Sequence, residues 1–195
     1  MNMRQAMAAL AVVFGLAGLG PTFEGAVILA KARLAQILID RAWQANLADK
    51  RVKHRPWSWA DLSPVARLRF DRQRTELIVL DNDAPRTLAF GPGLRAGTPP
   101  PAQGGNSVIS AHRDTHFAVL GDLHAGDRVD VQVANGDTAR YRVVGRRIVD
   151  VDDGWIADDQ GRDQLSLVTC WPLDALRAGG RERLVVTAVR ERQDS

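Results

Sequence analysis

A single cysteine, Cys170, stands in this chain of 195 residues, so no disulfide can close within it. Internal repeats are absent too, which excludes a solenoid or a propeller. A basic field for nucleic acid is missing where it would be needed. The formal net charge is +3, yet residues 1–60 carry eight Lys/Arg against three Asp/Glu while residues 61–195 carry 18 against 20. The basic excess therefore belongs to the N-terminal segment, above all Lys50, Arg51, Lys53 and Arg55. The remainder offers nothing to a phosphate backbone, and no nucleic-acid partner is expected. With 45% hydrophobic and 25% charged residues, the composition is that of a globular chain rather than a disordered one.

Charge is also missing from Gln5 to Phe23. This run, whose core reads AMAALAVVFGLAGLG, is close to the roughly 20 residues that a membrane-spanning helix needs. No small-x-small cleavage site follows, because Leu19-Gly20-Pro21-Thr22-Phe23 is a poor match, so residues 1–23 read as an uncleaved N-terminal anchor. The flanking charges do not orient it, since Arg4 and the amino terminus on one side face Lys31 and Arg33 on the other. In residues 24–47, Arg33, Gln36, Asp40 and Gln44 form a polar stripe at helical spacing, and the resulting amphipathic helix is expected to pack on the domain. The basic stretch Lys50 to Arg55 ends at Pro56-Trp57-Ser58-Trp59, where both tryptophans are expected to seat a linker. The expected division is an anchor at 1–23, an amphipathic helix and basic linker at 24–55, and a folded domain at 56–195.

Beyond residue 56 the pattern turns to short β segments: TELIVL at 75–80, NSVIS at 106–110, DRVDVQV at 127–133, ARYRVVGRRIVDV at 139–151, QLSLVT at 164–169 and RLVVTAV at 183–189. Turn residues such as Asn135-Gly136-Asp137 and Gly179-Gly180 separate them. Many short strands with little helix between them predict an all-β barrel or sandwich. Short helices near 84–90 and 115–123 are expected interruptions. The run GPGLRAGTPPPAQGG at 91–105 is a loop long enough to be functional.

Three chemically capable residues stand at strand ends: His112 in SAHRDTHF, Cys170 in VTCWP, and Arg183 before LVV. A thiolate nucleophile needs a proton-transfer partner and a group that holds a developing oxyanion, and Cys, His and Arg can fill these roles. Blander readings exist for each. Cys170 can be a small buried hydrophobe, Arg183 an ion-pair partner of Glu182 or Asp174, and Thr169 a mere strand former. His112, His116 and His124 are spaced so that two or three could bind zinc together with Asp114.

The chain resembles the sortases, cysteine transpeptidases of bacterial cell surfaces. Leu165-Ser166-Leu167-Val168-Thr169-Cys170 follows that family's strand-ending Thr-Leu-x-Thr-Cys signature. Ala111-His112-Arg113 resembles its Gly-His-Arg context, and Arg183 heads the final strand some dozen residues after the cysteine. The segments PWSWADLSPVARL, TLAFGPG, GNSVISAHRDTHF and TCWPLDALRAGG are most similar to the class GN sortases of Gram-negative proteobacteria, over a span of about Ala30 to Val189. Departures occur at Ser110-Ala111, at Leu94, and at Trp171 and Leu173, where the family more often has Tyr and Phe. The resemblance implies an all-β, closed barrel of about eight strands. It implies that Cys170 attacks a threonine carbonyl within a C-terminal signal resembling Leu-Pro-x-Thr-Gly, with His112 as general acid and Arg183 on the oxyanion or the peptide. Thr169, Ala111 and Trp171 are implied to lie along the substrate. An amine acceptor takes the acyl group, no metal or organic cofactor is required, and the catalytic domain is placed on the periplasmic side of an inner membrane spanned by residues 5–23. A membrane-tethered binding barrel with a structural thiol is the competing reading. A peptidoglycan transpeptidase with a Ser-His-Gly-Cys segment is not, because no such segment exists here.

Overall fold

A computed structural model describes residues 3–152, 162–175 and 179–191, with side chains from residue 27 onward. Compactness divides the chain between Ile37 and Leu38. The first unit is helical from Met3. Where the sequence suggests an anchor followed by a second helix, one helix, α1 (Met3–Ala48), is continuous. Among the described residues no helix is long and apolar enough to cross a membrane. The expected anchor falls on residues 1–23, whose side chains lie outside the described residues.

The second unit opens with the last turns of α1, which dock as the amphipathic pattern predicts. Ile39 is buried with Ala60, Leu62 and Leu80, and Asp40 receives a 2.5 Å ion pair from Arg67. Asn46 is a buried junction: its amide donates to the Pro64 carbonyl at 3.1 Å, and its side-chain oxygen accepts from the His54 amide at 2.7 Å. Trp57 packs edge-on against Phe90, with ring centroids 5.4 Å apart. Trp59 does not share that seat. The chain turns between Trp57 and Ala60, and Trp59 is left 83% exposed.

Eight strands follow: β1 (Pro64–Phe70), β2 (Thr75–Leu80), β3 (Gly93–Leu94), β4 (Asn106–Ser110), β5 (Arg128–Val133), β6 (Thr138–Asp150), β7 (Gln164–Cys170) and β8 (Glu182–Arg190). They close into a barrel in the order β1-β2-β3-β4-β7-β8-β6-β5. Closure leaves no exposed edge to recruit another chain. Alternation sets what each strand hides. On β1, Ala66, Leu68 and Phe70 are buried while Arg69 between them is exposed, and β7 and β8 send Leu165, Leu167, Leu184, Val186 and Ala188 to the same core. The opposite face of the β4–β7–β8 region is apolar as well: Val108, Val149, Val168 and Val185 form a second buried cluster. Among the described residues two short helical turns interrupt the strands, α2 (Pro85–Leu88) and a 3-10 helix at Ala118–Asp122.

Two strands were not legible as such. β1 begins on a proline and alternates through alanine and arginine, a weak β composition, and β3 is two residues inside the Gly/Pro-rich loop. Gly93 is required there, because a Cβ at that position would lie 2.2 Å from the Asn82 carbonyl oxygen. The hairpin from β5 to β6 turns at Asn135-Gly136, where Gly136 has φ 91°.

Tyr141 fastens the barrel end remote from Cys170. Its hydroxyl donates to Asp163 at 2.7 Å and accepts from the Ala102 amide at 2.9 Å, and Arg190 reaches Asp163 at 2.8 Å. Burial, reinforced by the hydrogen bond to Asp163, raises the phenol pKa. Removing that oxygen would leave the Ala102 amide without this acceptor, a loss worth about 1–3 kcal/mol.

Candidate active site

Cys170 is the last residue of β7, half-buried, and its strand lies between β4 and β8. The β7–β8 pairing is antiparallel and puts Cys170 directly across from Arg183. The β4–β7 pairing is parallel and ends at Ser110 opposite Val168. Cys170 stands two residues further along β7, and His112 two residues past the end of β4. Three residues scattered over 72 positions of sequence thus occupy one row at the end of three neighbouring strands. Side-chain alternation puts Cys170 on the face of Val168, and Arg183 on the face of Val185, so the row continues the valine cluster on the side away from the main core.

The surroundings of each residue differ. His112 is exposed, at the start of the segment that runs to the 3-10 helix, and its carbonyl accepts from the Phe117 amide at 3.0 Å. Arg183 is half-buried, and one guanidinium nitrogen donates to the Gly180 carbonyl at 2.6 Å and the Glu182 carbonyl at 2.9 Å. Arg181 lies before β8 and is turned elsewhere, paired with Asp150 at 2.8 Å and with Asp152. The Asp150 carboxyl pKa is lowered, first by the Asp152 amide and then by Arg181.

Ala111 and Thr169, expected along the peptide, are 5% and 2% exposed. The Thr169 hydroxyl donates to the Ala111 carbonyl at 2.8 Å, and the Ala111 amide donates to the Val168 carbonyl at 3.1 Å. Their burial and these hydrogen bonds brace the two strand ends against each other. Trp171 is half-buried against the core, and its amide donates to the Glu182 carbonyl at 3.0 Å.

This row, a thiol across from an arginine on β8 and beside the end of β4 that leads into a histidine, in a closed eight-stranded barrel, can be compared with known proteins. A model of the sortase domain matches residues 68–191, more than half of the chain. The chain belongs to the sortase family. Sortase D of Bacillus subtilis (strain 168) is 32% identical over 106 residues, covering 54% of this chain and 53% of the relative. The chain thus spans about half the length of the curated relative it matches. Sortase C-1 from Actinomyces oris has a crystal structure that superposes with a TM-score of 0.59 at 28% identity, over 78% of this chain and 82% of that one. The Sortase D5 transpeptidase of Clostridium perfringens gives a TM-score of 0.64 over 82% of this chain and 99% of that one, and at 15% identity it speaks for the fold alone.

The other histidines of this sortase do not gather around a metal. Among the described residues no three His, Cys, Asp or Glu side chains come together to hold one. His116 stays near His112: its pKa is lowered by burial and then by the charge on His112, which favours the neutral imidazole. It lines a cavity of about 610 Å3 shared with Thr115, Asp122, His124, Arg72 and Gln73. His124 faces Arg72 and the Asp122 carbonyl at 2.9 and 3.0 Å.

Arg72 also grips Asp127 with two nitrogens, at 2.9 and 2.7 Å, and the His124 amide adds a third hydrogen bond at 2.8 Å. These contacts tie the β1–β2 turn to the segment carrying the histidines. The Arg72 hydrogen bond is the first cause holding the Asp127 carboxyl below its ordinary 3.8. A carboxyl with a folded pKa below the unfolded one stabilises the fold above the unfolded value, and the contribution disappears as pH falls through the folded value. Asp127→Asn should therefore lower the melting temperature at pH 7, and the gap to wild type should close as pH drops below 3.8. A gap that is constant from pH 7 to pH 2.5 would contradict this role for the carboxylate.

The arginine beside the histidine escaped the sequence reading. Arg113 is 6% exposed and donates to the Pro172 carbonyl at 3.0 Å and the Ala175 carbonyl at 2.8 Å. Only its position in the His-Arg pair hinted at it. The valine cluster beneath this row was missed too, although Val168 next to Leu167 breaks the alternation of a strand with one wet face.

Proposed function

We propose that this sortase is a cysteine transpeptidase of the class GN type, which cleaves a Leu-Pro-x-Thr-Gly-like signal after threonine and passes the acyl group to an amine. The observation that carries the reading is the row at the strand ends: Cys170 directly across from Arg183, with His112 two residues past the last β4–β7 pair. The Cys170 thiolate attacks the threonine carbonyl, forming a C–S bond and an oxyanion that the Arg183 guanidinium is placed to meet once it turns from the Gly180 carbonyl. The C–N bond then breaks as the His112 imidazolium gives its proton to the departing amine, leaving a thioester and a neutral imidazole. An incoming amine attacks the thioester and yields a proton to His112. The C–S bond breaks, and thiolate and imidazolium are restored. The uncharged run at residues 5–23 supports an inner-membrane anchor, and the resemblance to the class GN sortases supports a catalytic domain on the periplasmic side.

The full chain should cleave a Leu-Pro-Ala-Thr-Gly peptide between Thr and Gly, and with hydroxylamine as acceptor should release the threonine hydroxamate. Chromatography and mass spectrometry of the peptide products check this. Cleavage at another bond, or no cleavage over many hours, would overturn the reading.

A further inference from the structure

Arg113 is the only buried basic residue among the described residues. A guanidinium withdrawn from water must be compensated, and here one partner is the highly exposed Asp114, 3.1 Å away. Two further hydrogen bonds end on carbonyls of Pro172 and Ala175, in the segment that leaves Cys170. The β4–β7 ladder stops at Ser110 and Val168, short of the reacting residues. What continues the register past that point is a set of four hydrogen bonds. Ala111, before His112, is held by Val168 and Thr169, before Cys170. Arg113, after His112, is held by Pro172 and Ala175, after Cys170.

We propose that Arg113 and Thr169 are positioning residues that bracket the row and set His112 against Cys170 for proton transfer to the departing amine. The inference rests on the transpeptidase reading above. The geometry favours arginine specifically, because two carbonyls three residues apart are bridged by a planar fork of donors that a lysine ammonium does not reproduce. Neither residue need touch substrate. Their loss acts through the placement of His112, and a misplacement of about 1 Å costs on the order of a hundredfold in rate.

The leaving group separates this role from general damage to the fold. An amide nitrogen must receive a proton from His112 to depart, whereas a thiophenolate leaves from a thioester without one. Single-turnover acylation of Cys170 is therefore measured by intact mass in the full chain, in Arg113→Lys and in Thr169→Val. The probes are a Leu-Pro-Ala-Thr-Gly peptide and the thiophenyl ester of Leu-Pro-Ala-Thr, each tested over a range of concentrations.

Arg113→Lys should acylate from the peptide about ten- to a hundredfold more slowly at saturation, while its rate from the thioester stays close to wild type and the half-saturating peptide concentration changes little. Thr169→Val, nearly isosteric and so a check should the lysine variant fold poorly, should show the same asymmetry to a smaller degree. Equal losses with both probes, or no loss with the peptide, would overturn the bracket. A wild-type chain that accepts neither probe would instead overturn the transpeptidase reading itself, and the two failures are told apart by that control.

Discussion

Cys170→Ala should abolish cleavage of the sorting-signal peptide and all covalent labelling of the chain, with a melting temperature within a few degrees of wild type. Half-buried at the end of β7 and outside both barrel clusters, Cys170 contributes little packing that alanine cannot replace. It is also the sole thiol, so an alkylating agent such as iodoacetamide has one cysteine to modify, and modification should run parallel with loss of turnover. Activity and melting curves measured side by side separate the two properties. Peptide cleavage retained by Cys170→Ala would show that another group carries the reaction, and a melting temperature lowered by more than ten degrees would show the thiol to be structural.

Arg183→Ala and Arg181→Ala should differ sharply although the residues are two positions apart. Arg183 stands across from Cys170 at the head of β8, whereas Arg181 precedes the strand and is occupied by Asp150 and Asp152. Removing a charged donor that acts mainly in the transition state costs on the order of a hundredfold in rate, about 3 kcal/mol. Turnover by Arg183→Ala should fall by at least that factor, while Arg181→Ala stays within about threefold of wild type, as expected for an exposed ion pair. Iodoacetamide should label Cys170 in both. Arg183→Lys should restore little, because a point charge lacks the guanidinium fork. Steady-state turnover numbers for the three variants decide it, and an inactive Arg181→Ala beside an active Arg183→Ala would reverse the assignment.

Much of this site was legible because strands announce their ends. QLSLVT and RLVVTAV are dense in β-branched and large apolar residues, and their limits in the structure differ from the sequence reading by only one residue, so Cys170 and Arg183 fall at the end and the start of paired strands. What periodicity does not carry is pairing order. Nothing in NSVIS says that it lies parallel to β7, and it is this neighbourhood that brings His112 into the row. Arg113 was hidden for a different reason: a charged residue after a candidate acid reads as surface, and its burial follows from two carbonyls 59 and 62 residues away. Trp59 shows the reverse error, since an aromatic residue predicts burial and a turn of the chain sends it outward. Thr169 was singled out by its place next to the cysteine, while its inward face was readable from alternation with Leu165 and Leu167.

The most direct measurement is intact-mass spectrometry of the full chain in detergent, quenched in acid seconds after mixing with a Leu-Pro-Ala-Thr-Gly peptide. A nucleophilic Cys170 requires an adduct equal to the peptide acyl portion ending in threonine, lost on treatment with hydroxylamine and absent from Cys170→Ala. No adduct at any time while the peptide is being cleaved, or an adduct that persists in Cys170→Ala, would contradict a Cys170 thioester.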